Sequence, residues 1–190
     1  MGACCVSESN ASDETKGNNN KPQLQTADTR GTVQMHSHMD LRDIDERIKV
    51  LQRGNINELE EMINNFDEDI NAYVFGQNKT LLLEAVMKCP NYQVVRIIMN
   101  KGADVNIPEN QTGNTAIFLS ALDLKVEFVR ELLRYGPDLG HVNKYGQNIF
   151  EFLQFQLFDQ RKSLGREMET QERNKYDEIL QLLREYLNQE

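Results

Sequence analysis

Cysteine is scarce in this sequence: there are three, and two of them are adjacent at Cys4 and Cys5. Cys89 is therefore alone in the body of the chain, which leaves no disulfide framework there and suits a reducing cytosol. Long apolar runs are missing as well. No stretch approaches the roughly 18 consecutive apolar residues of a membrane-spanning helix, and no apolar segment near the N-terminus has the form of a secretory signal. Without such a signal, the glycosylation triplets at Asn10-Ala11-Ser12, Asn78-Lys79-Thr80 and Asn110-Gln111-Thr112 read as chance matches. Tryptophan is absent and there are only 4 prolines, absences that decide little. A basic patch is also lacking. Net charge is −9 over 190 residues, and cationic pairs such as Arg161-Lys162 are diluted by neighbouring acids. Nucleic-acid binding, which needs cations to displace phosphate counterions, is not expected. A basic protein partner would be favoured at encounter.

With 39% hydrophobic and 27% charged residues, the composition is that of an ordinary soluble chain of one domain and a tail. Residues 1–39 are rich in Ser, Thr, Asn, Asp, Gln and Gly and show no sustained apolar period. Such a segment cannot bury enough surface to offset its ordering entropy, so it is expected to be a disordered tail. From residue 40 the pattern changes. Ile44, Ile48 and Leu51 fall on one helical face, Gly54-Asn55 breaks the run, and Leu59, Met62 and Ile63 resume it. This predicts two short helices joined by a tight turn.

The segment Val94 to Asn106 carries most of the fold information. An apolar helical stretch (Val94, Val95, Ile97 and Ile98) runs to Gly102, and Ala103-Asp104-Val105-Asn106 follows. Its landmarks recur: Asp69-Ile70-Asn71 lies 35 residues before Asp104-Val105-Asn106, and Gly136-Pro137-Asp138-Leu139 lies 34 after Gly102-Ala103-Asp104-Val105. Thr80 and Thr115 are 35 apart, and Gly113 and Gly146 are 33 apart. A period of about 33 residues with these landmarks resembles the ankyrin repeat. Gly102 and Gly136 fall where a helix ends in a left-handed conformation that Gly adopts without a Cβ penalty. Val126, Val129, Leu132 and Leu133 repeat the apolar face one unit later. Thr115-Ala116-Ile117-Phe118-Leu119-Ser120-Ala121 resembles the family's first helix, Thr-Pro-Leu-His-x-Ala-Ala. Ala116 replaces its Pro and Phe118 its buried, hydrogen-bonding His. Thr80 to Val86 departs at the same two places.

The last unit is irregular. Asn148 to Leu153 begins a helix with Phe155, Leu157 and Phe158 behind it. Arg161 to Lys175 is polar, and Tyr176, Ile179, Leu180, Leu183 and Leu187 trace an amphipathic helix. Leu133 and Leu183 are 50 residues apart, an insertion of about 16 over the normal period. The expected fold is all-α: about four stacked helix-turn-helix units with β-turn fingers over 40–190, the outer units serving as caps.

Several motifs bear on chemistry. Met1-Gly2-Ala3-Cys4-Cys5-Val6-Ser7 is similar to an acylation signal, with Gly2 for myristate and Cys4 or Cys5 for palmitate. Val6 occupies the place where that motif has Ser or Thr. One myristoyl chain anchors only marginally, and the tail has no polybasic second signal, so palmitate would have to supply it. His36-Ser37-His38 with Asp40 lacks further ligands and reads as a solvated linker. Asp43, Asp45, Glu46 and the run Glu58 to Glu61 fit outer helical faces better than acid–base catalysis. Cys89-Pro90 falls in a turn with Lys88 as its only cationic neighbour, which fits an idle thiol.

No cofactor, metal or catalytic set is expected. In ankyrin proteins partners meet the finger tips and the exposed side of the first helices. The resemblance thus implies contact residues at Tyr73, Val74 and Phe75, at Glu109, Asn110 and Gln111, and at Asn143, Lys144 and Tyr145. The aromatics among them serve equally well as packing against the next finger. The expected function is a monomeric protein-binding adaptor or steric regulator on the cytoplasmic face of a membrane. The same module without lipid, a soluble cytosolic inhibitor or assembly subunit, is the alternative. An enzyme or metal-dependent regulator using the His pair or Cys89 is the least favoured reading.

Overall fold

A computed structural model describes residues 41–66, 68–73, 78–159, 165 and 169–189. The chain divides into two compact units, Met1–His38 and Met39–Glu190, and only the second contains described residues. Among its described residues there are eight α-helices and one π-helical turn, and no strand.

Helix α1 (Leu41–Arg53) buries Leu51 and half-buries Ile44 and Ile48, while Asp43, Asp45, Glu46, Lys49 and Arg53 face out. Gly54 ends it at φ +66, and a Cβ there would lie 2.7 Å from Pro90 Cγ. Asn55 caps α2 (Ile56–Asn64) by accepting from the Asn57 amide at 3.0 Å. Leu59 and Ile63 are its buried residues. Within the acidic run Glu58 to Glu61, the carboxylates lie around the buried Leu59; Glu60 and Glu61 are exposed and Glu58 pairs with Arg53 at 3.3 Å.

The next two pairs are α3 (Leu81–Lys88) with α4 (Gln93–Asn100), and α5 (Ala116–Leu122) with α6 (Val126–Leu133). Helices α3 and α5 are buried on nearly every side: Leu81 to Val86 and Ala116 to Ala121 are all shielded. The turn between α5 and α6 has Leu124 at φ +53, the only non-glycine residue with positive φ among the described residues. That conformation costs a residue with a Cβ roughly 1–2 kcal/mol. It is held by Lys125 N–H donating to Ser120 O at 3.0 Å and by burial of the leucine side chain.

Packing arranges these elements in two rows. The first helices of the pairs neighbour one another in the order α1, α3, α5, α7 (Ile149–Gln154), and the second helices in the order α2, α4, α6, α8 (Thr170–Leu187). One apolar core runs through both rows, with Leu51, Leu59, Leu82, Ile98, Phe118, Leu132, Leu153 and Leu183 along its length. Polar clips join neighbours. Arg96 on α4 donates to the buried Glu131 on α6 at 3.1 Å, and Arg134 reaches the same carboxylate at 3.4 Å. The Glu131 hydrogen bond raises the Arg96 guanidinium above its usual range. Lys125 Nζ donates to Val86 O at 2.7 Å and Met87 O at 2.9 Å, satisfying carbonyls at the C-terminal end of α3.

The last pair departs from the others. Helix α7 opens with a capping box between Asn148 and Glu151 and runs into a π-helical turn, Phe155–Asp159. The final helix begins at Thr170, earlier than its apolar pattern from Tyr176 indicates. Glu169 and Glu172 form a second capping box, so the polar residues up to Lys175 are helical. Tyr176, Ile179 and Leu183 are buried, whereas Leu187 is exposed in the last turn and leaves the apolar face expected for it.

Candidate functional site

Between consecutive pairs the chain makes three fingers: residues 65–80, 101–115 and 134–148. Each is shaped locally before it meets its neighbour. Asp69, Asp104 and Asp138 accept through Oδ1 from the amide two residues ahead, at 3.0, 2.8 and 2.8 Å. These are Asx turns, which fix the finger's entry without help from other segments. In the first two fingers the residue two beyond the Asp then reaches forward. Asn71 accepts from Asp104 N at 2.8 Å, and Asn106 accepts from Asp138 N at 2.8 Å. At the third position stands Gly140, which has no side chain to extend the ladder.

The tips are joined by the main chain. Asn110 N donates to Asn78 O at 2.9 Å, and Lys144 N donates to Thr112 O at 2.8 Å. Lys144 Nζ adds a bond to Asn110 O. Gly113 and Gly146 close their tips at φ +76 and +72. A Cβ on Gly113 would crowd Lys144 N at 3.0 Å, so the close approach of the second and third fingers requires glycine there.

The expected contact residues separate into two groups. Glu109 and Asn143, at corresponding places in the second and third fingers, are only 6% and 4% exposed. Glu109 bonds the Thr112 hydroxyl. Asn143 Oδ1 accepts from Tyr145 N at 3.0 Å and Gln147 N at 3.1 Å, and its Nδ2 donates to Asn114 Oδ1 at 3.1 Å. Their side chains build the fingers, which corrects the expectation that they face a partner. Asn110, Gln111, Lys144 and Tyr145 are exposed, and Tyr145 is the most open large hydrophobic residue among the described residues, at 69%. Tyr73 is half-buried and donates its hydroxyl to Pro108 O at 2.7 Å, the packing alternative. Phe75 and Val74 lie outside the described residues, as do Gly2, Cys4, Cys5, His36 and His38.

The remaining candidates have local explanations. His141 sets Nε2 2.8 Å from Gly113 O and meets Phe118 edge-on at 5.9 Å. Phe118 cannot hydrogen-bond, and Thr115 Oγ1 is buried without a partner. Cys89 is buried; burial pushes its thiol pKa up, and the Asn91 backbone bond and the charge of Lys125 only partly oppose this. Among the described residues no three His, Cys, Asp or Glu side chains converge as metal ligands. One feature escaped the sequence reading: a shallow cleft of about 500 Å³ bounded by Pro90, Tyr92, Leu124, Lys125, Phe128 and Lys175. It forms where two inter-helix turns meet the start of α8, residues remote in sequence that no local pattern connects.

What the described residues of the fingers present is an exposed polar edge with Val142 and Tyr145 as its apolar side chains. No protein-family model matches this chain.

Proposed function

We propose that residues 40–190 form an ankyrin-type solenoid of about four units that binds a protein partner, and that acylation at Gly2 and at Cys4 or Cys5 tethers it to the cytoplasmic face of a membrane. The observation that carries the first half is the recurrence of one finger-to-finger bonding scheme: Asn71 to Asp104 is repeated by Asn106 to Asp138. Two rows of helices and a left-handed glycine after α4 and α6 are consistent with it. Apart from Leu187, the exposed residues described on α1 and α8 are polar, which supports reading them as terminal caps of a monomer. The second half rests on Met1 to Cys5, an opening that packing does not explain in a thiol-poor tail.

Such a module acts by location and steric occupation, with no covalent step. Exposed Asn110, Gln111, Lys144 and Tyr145 are the contact set, with Tyr145 as anchor. The soluble alternative draws on one residue, Val6, where the acylation motif has Ser or Thr.

Two measurements test the two halves. Cells expressing the wild-type or Gly2→Ala chain are fractionated; a membrane-bound wild type and a soluble variant are expected, and equal solubility removes the tether. Affinity purification of the full chain and a Gln111→Ala, Tyr145→Ala double variant is then compared. Loss of a stoichiometric partner from a variant with unchanged melting is expected, whereas full retention moves the site off the fingers.

A further inference from the structure

We draw no further inference here: the strongest candidate, the shallow cleft where the turns at Pro90 and Leu124 meet the start of α8, has its rim carboxylates Asp123, Glu127 and Glu178 already paired with Lys125 and Arg130, and nothing in the structure shows what covers it.

Discussion

Asn71 and Asp104 stand in successive fingers, and the Asn71 side chain bridges them twice, accepting from Asp104 N at 2.8 Å and donating to Gly102 O at 3.3 Å. Asn106 accepts from Asp138 in the same way. An exposed bond of this kind contributes about 0.5–1.5 kcal/mol net. Asn71→Ala and Asn106→Ala should each lower the urea midpoint by that equivalent, with Asn71, which makes two bonds, costing more. Equal and negligible effects would mean that water replaces both bridges without loss.

Thr80 and Thr115 occupy corresponding N-cap positions but differ in what their hydroxyls do. Thr80 accepts from Leu83 N at 3.4 Å, while Thr115 Oγ1 is buried and unpaired. A useful cap is worth roughly 1 kcal/mol and an orphaned polar atom costs a comparable amount. Thr115→Val should be neutral or stabilising in chemical denaturation, and Thr80→Val destabilising by about 0.5–1 kcal/mol. The reverse order would contradict the assigned bonding.

Gly54 and Gly102 both have positive φ, at +66 and +87, yet only Gly54 is crowded, by Pro90. Gly102→Ala carries the conformational cost alone, roughly 1–2 kcal/mol. Gly54→Ala adds a ring contact that must shift, so it should unfold at distinctly lower denaturant. Similar midpoints for the two variants would show that the Pro90 ring yields freely.

Burial raises the Cys89 thiol above its ordinary value of 9.0 and the Tyr176 phenol above 10.0. In both cases the unfolded chain releases its proton at lower pH than the folded one. The stability they contribute is complete below the ordinary values and is lost as pH rises through the raised, folded-state values. Thermal unfolding followed above pH 9 should therefore show a decline that is shallower in Cys89→Ala. A thiol-specific reagent at neutral pH should label the native chain slowly and the urea-unfolded chain at once.

Much of this was legible in the sequence because it is local. Ile44, Ile48 and Leu51, broken by Gly54, give α1 and its end; Gly102 and Gly136 adopt the left-handed conformation their spacing predicts. The misreadings arise where position and environment part company. Glu109 and Asn143 have the polarity of solvent-facing tip residues, yet that polarity closes hydrogen bonds inside the finger. Leu124 sits at positive φ because the surrounding packing holds it there, against its own preference. The start of α8 is set by Glu169 and Glu172, a capping pair in a stretch whose apolar period had not begun. The π-helical turn at Phe155–Asp159 carries no sequence mark that would separate it from a continuing α-helix.

The bonds between fingers in which a main-chain N–H is the donor share one direction. In all four, the donor belongs to the later finger: Asp104, Asn110, Asp138 and Lys144 give, and Asn71, Asn78, Asn106 and Thr112 receive. During synthesis, from N-terminus to C-terminus, every receiving edge is thus made before the segment that docks on it. The growing chain carries its own template, and each finger can settle as it emerges without waiting for residues still to come.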